Sequence, residues 1–85
     1  DDPRRGVDGM AFDDRGRLYV TVIGNGDVAV FEPDGSLVRR IPLIDKLPTN
    51  VAFGQPGEKR IYVTGQERGQ IEAYDVDADG MVLYG

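Results

Sequence analysis

The chain has no histidine and no cysteine. It therefore lacks the imidazole that takes the proton in a Ser-His-Asp or Cys-His device, and the ligands of a structural zinc site. Its one serine, Ser36, follows the turn sequence Asp34-Gly35. Chemistry is left to carboxylates, amides, Thr and Tyr hydroxyls, backbone groups, and any hard cation such oxygens could hold. Three places stand out. Asp75-Val76-Asp77-Ala78-Asp79-Gly80 spaces its carboxylates like the first half of a calcium loop. Asp8 directly precedes Gly9 and the apolar run Met10-Ala11-Phe12, and Asn50 directly precedes Val51-Ala52-Phe53.

The calcium-loop pattern fails in its second half. The bidentate Glu that would close it belongs one residue beyond Gly85, and its flanks read as strands where helices are required. Asp79-Gly80 matches Asp34-Gly35 and reads as an ordinary turn. Gly24-Asn25-Gly26 lies between two apolar runs with no helix behind it to supply a field for phosphate, so it reads as a tight hairpin turn. Tyr19, Tyr62, Tyr74 and Tyr84 fall at strand positions and read as core or interface, and Arg39-Arg40 as a solvated outer strand.

The elements that must position Asp8 and Asn50 form a repeat. Met10-Ala11-Phe12, Leu18 to Ile23, Val28 to Phe31 and Leu37 to Ile41 are β-rich runs separated by Gly, Asn, Asp and Pro turns. The same order returns as Asn50 to Phe53, Arg60 to Thr64, Gln70 to Tyr74 and Met81 to Tyr84. Ala11-Phe12 matches Ala52-Phe53, Tyr19-Val20-Thr21 matches Tyr62-Val63-Thr64, and Gly26 matches Gly69. Four short strands in a period of about 40 residues are the signature of a propeller blade. The chain thus reads as all-β, two four-stranded antiparallel blades of a six-bladed β-propeller. Residues 7–44 form blade one and 45–85 blade two, with Pro42 to Pro48 as connector. Alternate residues on both faces of the second strand are apolar, as expected when a blade has a neighbour on each side.

In that architecture the innermost strand of each blade borders the central channel. Asp8 and Asn50, arriving from neighbouring blades, could offer oxygen ligands to Ca²⁺ at the channel mouth. Asp and Asn before strands are also ordinary turn residues, so spacing alone leaves both readings open.

A formal charge of −5 repels phosphate and argues against nucleic acid as a partner. No apolar run approaches the roughly 20 residues that cross a bilayer, which argues against a membrane-spanning helix. At 85 residues the core is thin, and disulfides and zinc are not at hand to reinforce it; oligomerisation or further sequence remains. The chain starts at Asp1 without an initiator Met, so upstream blades or a signal peptide could precede it, and the compartment is undecided.

Val7-Asp8-Gly9-Met10-Ala11-Phe12-Asp13, followed by Gly16-Arg17-Leu18-Tyr19-Val20, resembles the gluconolactonase/regucalcin-like (SGL) family of six-bladed propellers. Pro48 to Gly54, Ile61 to Thr64 and Gly69 to Val76 resemble the last part of its bacterial members. The resemblance implies the C-terminal third of such a protein and hydrolysis of a lactone or related ester. It implies that Asp8 is a ligand of a catalytic divalent metal, usually Ca²⁺, and a general base, and that Asn50 lines the substrate pocket. It places the other metal ligands on sequence absent here, so the isolated chain is expected to be inactive. Ala11 and Ala52 stand where some relatives carry ligands of a second calcium, which is not expected here. Two other readings remain: three copies closing a six-bladed ring as a homotrimer, and a non-enzymatic module binding a protein or sugar on its loops.

Overall fold

In the computed structural model residues 7–22 and 24–81 are described, with side chains from residue 9 onward. Seven strands run in chain order: β1 (Val7–Phe12), β2 (Leu18–Val22), β3 (Asp27–Phe31), β4 (Leu37–Pro42), β5 (Pro48–Phe53), β6 (Arg60–Gly65) and β7 (Ile71–Asp75). They form two antiparallel meanders, β1-β2-β3-β4 and β5-β6-β7. The expected fourth strand of the second unit, Met81 to Tyr84, falls mostly outside the described residues, as does Tyr84 itself.

Register pairs equivalent residues in the two sheets. Ala11 lies opposite Tyr19 and Ala52 opposite Tyr62, while Phe12 lies opposite Leu18 and Phe53 opposite Ile61. The inner strands β1 and β5 lie against each other, and the sheets enclose one core. It is built from Tyr19, Val28, Val30, Ile41 and Leu43 on one side and Val51, Ile61 and Val63 on the other. Alternation puts these residues on facing surfaces, and each fully buried large side chain contributes roughly 1.5–3 kcal/mol. At its centre the Tyr19 and Phe53 rings meet edge to face, 5.0 Å apart at 76°.

Two turns differ from the sequence expectation. Gly24-Asn25-Gly26 is part of a four-residue loop closed by Val22 and Asp27, with Gly24 and Gly26 in the left-handed region and Asn25 outside it. Gly26 must be glycine for a second reason: a Cβ there would lie 3.0 Å from Lys46 Cα, and its carbonyl accepts from Leu43 N at 3.1 Å. The connector therefore seats on this loop. The other difference is Asp79-Gly80. Gly35 has φ +92° in a turn, but Gly80 bridges to Asp13, with Asp14 N donating to Asp79 O at 2.8 Å and Met81 N to Phe12 O at 3.0 Å. Tertiary pairing with the end of β1 overrides the local turn preference of Asp-Gly.

The connector is anchored by a buried carboxylate. Asp45 accepts from the backbone N–H of Leu47 at 2.9 Å, Arg68 at 2.8 Å and Glu67 at 3.3 Å, joining the segment between the sheets to the β6–β7 turn. Glu72 on β7 accepts in turn from Ile44 N at 2.9 Å and Asp45 N at 2.8 Å.

Candidate functional site

Both inner strands carry an irregularity at the same place. Between Val7 and Met10, β1 has one residue more than its partner segment of β2, and between Pro48 and Asn50, β5 has one more than β6. A bulge of this kind bends the strand and re-aims side chains, and such bulges concentrate beside functional sites. One falls at Asp8-Gly9 and the other at Thr49-Asn50.

Gly9 makes the close approach possible. A Cβ on it would lie 2.6 Å from Asn50 Cα and 2.7 Å from Asn50 Oδ1, so only glycine lets the inner strands come this near. The backbone of Gly9 is held by Thr21 on β2, whose hydroxyl accepts from Gly9 N at 2.9 Å and donates to Gly9 O at 3.2 Å. This clasp takes the place of the ladder bonds that the bulge interrupts. In the second unit the equivalent Thr64 exchanges a hydrogen bond with the Thr49 hydroxyl at 2.9 Å. Thr21 was not singled out in the sequence, although the repeated Tyr-Val-Thr motif was the signal that could have found it.

The sequence candidates sit as follows. Asp8 lies in β1 next to Gly9, and its side chain is outside the described residues. Asn50 is exposed, and its Oδ1 accepts from Val51 N at 2.9 Å, which leaves that oxygen a second lone pair and the amide nitrogen its donors. By register Asn50 is the counterpart of Gly9, and Asp8 that of Thr49. The two sequence candidates thus occupy non-equivalent positions of the repeat, and Gly9, next to Asp8 in the chain, is the residue that meets Asn50.

The calcium-like segment does different work. Asp75 Oδ1 accepts from Arg60 Nε at 2.9 Å, Asp77 Oδ1 from Arg17 Nη2 at 2.9 Å, and Asp79 Oδ1 from Gly57 N at 3.0 Å and Lys59 N at 3.1 Å. The three carboxylates serve three partners and do not converge. Among the described residues no group of three or more acidic, His or Cys side chains is arranged to hold a metal.

Arg17 and Asp13 form a buried ionic centre unforeseen in the sequence. Asp13 Oδ1 accepts from Arg15 N and Arg17 N, both at 2.9 Å, and Oδ2 from Arg17 Nε at 2.8 Å and the Tyr19 hydroxyl at 3.2 Å. Burial, reinforced by the Asp13 charge, pushes the Tyr19 hydroxyl up to about 12. Through Asp77 this centre ties the β1–β2 turn to the segment after β7.

A cavity of about 570 Å³ runs along the other ends of β1 and β5, lined by Met10, Phe12, Val51, Phe53, Met81 and their neighbours. Its lining holds no carboxylate or side-chain amide.

Consecutive antiparallel meanders, packed face to face with their inner strands side by side, define an all-β, propeller-type protein. The chain belongs to the SMP-30/gluconolactonase/LRE-like family, whose profile matches residues 1–67. It is 34% identical over 78 residues to a 6-deoxy-6-sulfogluconolactonase of Pseudomonas putida, a match covering 89% of this chain and 27% of that protein. Among solved structures it resembles a protein of unknown function from Bacteroides caccae, with TM-score 0.53, 17% identity, and 78% of this chain and 27% of the other covered. It likewise resembles virginiamycin B lyase from Staphylococcus aureus, with TM-score 0.53, 16% identity, and 88% and 28% covered. At these identities the structural matches speak for the fold. The chain spans about a quarter of the length of these relatives.

Proposed function

We propose that the chain contributes one sector of a calcium-dependent lactonase site at the Asp8–Asn50 corner. The observation that supports it most is the contact of Gly9 with Asn50, which brings the two bulged strand starts together. Family membership and the printed name of the Pseudomonas putida relative support a lactone as the substrate class.

The donors suit a hard cation in kind, a carboxylate and an amide oxygen, but calcium takes six to eight oxygens. The remaining ligands come from beyond this corner, and the chain alone is inactive. When bound, the cation would polarise the lactone carbonyl and acidify a water molecule. Asp8 orients that water and takes its proton as the water oxygen bonds to the carbonyl carbon. The bond from that carbon to the ring oxygen then breaks, and the ring oxygen leaves as an alcohol when the proton is returned. Asn50 donates its amide N–H to the substrate and fixes its orientation, on a backbone held by the Gly9 contact.

Melting curves with and without excess Ca²⁺ test the site without relying on turnover. Ca²⁺ should raise the melting temperature of the native chain, leave Asp8→Ala unmoved, and raise that of Asn50→Asp further, because a second carboxylate joins the donors. Equal responses from the native chain and Asp8→Ala would sink the proposal.

A further inference from the structure

One buried hydroxyl stands behind the corner where the inner strands begin. In β1, Val7 lies opposite Val22 and Met10 opposite Val20, so Asp8 and Gly9 together face the single residue Thr21. Thr21 is wholly buried between Val20 and the opposing Val28, where a valine would have the same shape. A buried hydroxyl is costly unless it is bonded, and here both bonds go to one residue. It accepts from Gly9 N at 2.9 Å and donates to Gly9 O at 3.2 Å. Gly9 N belongs to the peptide group shared with Asp8, and Gly9 O to the one shared with Met10. The hydroxyl therefore holds both peptide planes around a residue type whose own backbone is the least restrained. The β-branched side chain is stiff at χ1, which makes the hold rigid.

The second unit does without such a hold. Thr64, the counterpart of Thr21, is exposed and shares a hydrogen bond with the Thr49 hydroxyl at 2.9 Å. Beside that bulge it is Asn50 Oδ1 that accepts from a backbone group, Val51 N at 2.9 Å. Of the two units, only the one that carries Asp8 has its bulge clasped through the backbone by a threonine.

We propose that Thr21 is the positioning residue of the Asp8–Asn50 corner. By fixing the peptide groups on both sides of Gly9, which itself meets Asn50, it sets where the Asp8 backbone stands relative to Asn50. Its effect on a cation rests on the calcium reading above; the hold on the two strands does not.

Nuclear magnetic resonance of three variants, first without cation and then with Ca²⁺, tests it. Thr21→Val removes the hydroxyl and keeps the shape, Thr21→Ser keeps the hydroxyl, and Val30→Ala weakens the buried core at a position paired with Tyr19 and Arg39. Without cation, Thr21→Val should speed hydrogen exchange at Gly9 N by about fivefold or more relative to the other amides of β1 and β2. It should also shift the Asn50 side-chain amide signals. Thr21→Ser should restore both, and Val30→Ala should leave both as in the native chain. With Ca²⁺, Thr21→Val should bind about 10–100-fold more weakly than the native chain, and Thr21→Ser as the native chain does. An unchanged Gly9 in Thr21→Val would overturn the proposal. So would the same Gly9 and Asn50 changes in Val30→Ala, which are the mark of general loosening, or Ca²⁺ binding equally to the native chain and Thr21→Val. A native chain that ignores Ca²⁺ would sink the calcium reading instead, and the cation-free signals then decide the proposal by themselves. Should Thr21→Val fail to fold, Thr21→Ser decides: native-like exchange at Gly9 supports the proposal and faster exchange overturns it.

Discussion

Arg17 Nε lies 2.8 Å from Asp13 Oδ2, with both side chains almost wholly removed from solvent. The carboxylate also receives two backbone N–H groups and the Tyr19 hydroxyl, so it gathers the β1–β2 turn and the start of β2 around one charge. Asp13→Ala leaves a buried guanidinium and two N–H groups short of an acceptor, and breaking such a pair costs about 3–5 kcal/mol. Against a native stability of about 5–15 kcal/mol, urea unfolding should show a large fall in midpoint or no folded baseline. Asp77→Ala, which removes an exposed partner of the same Arg17, should cost about 0–1 kcal/mol.

Stability should fall in alkali between pH 10 and 12. The Tyr19 hydroxyl is pushed from 10.0 up to about 12, first by burial and then by the Asp13 charge. Tyr74 reaches about 12 through burial and its hydrogen bond to Glu72. A folded pKa above the unfolded one means that stability is full below pH 10. It is lost as pH rises toward 12, where the unfolded chain ionises first. The double variant Tyr19→Phe/Tyr74→Phe should flatten that decline in denaturant titrations across the range.

Acid should act through the connector. Burial alone would raise the Asp45 pKa, but the N–H groups of Arg68, Leu47 and Glu67 favour the charged form and hold it below the ordinary 3.8. A lowered folded pKa gives stability that is present above 3.8 and lost as pH falls through the folded value. Asp45→Asn should therefore be less stable near neutrality and show a shallower acid transition, followed by fluorescence or circular dichroism.

Gly9→Ala should destabilise by about 1–3 kcal/mol, because the new methyl would overlap Asn50 Cα at 2.6 Å and backbone must move to admit it. Chemical denaturation reads the loss. Gly9→Ser should cost at least as much, since its hydroxyl adds volume to a gap that has none to spare.

Much of the fold was legible because its signals are local. Alternation in Leu18-Tyr19-Val20-Thr21-Val22 and in the Ile61-Tyr62-Val63 run set the strands, and Gly, Asn, Asp and Pro between them set the turns. The repeat then paired equivalent residues correctly in both sheets. The candidate corner was legible only in outline. Asp8 and Asn50 were visible as polar residues ahead of inner strands, but the bulges, the Gly9 contact and the Thr21 clasp depend on neighbouring strands.

The sequence by itself determined the strand order and the repeat, because side-chain period and turn chemistry act over a few residues. It also excluded imidazole and thiol chemistry by omission. Only the tertiary structure decided where the charges go. Asp75, Asp77 and Asp79 look like one cation loop in one dimension, yet they separate to Arg60, Arg17 and the Gly57–Lys59 backbone in three. Arg17 and Asp77 lie 60 residues apart in the chain. A buried charge takes the partner that packing brings within hydrogen-bond reach, and spacing along the chain carries no record of that choice.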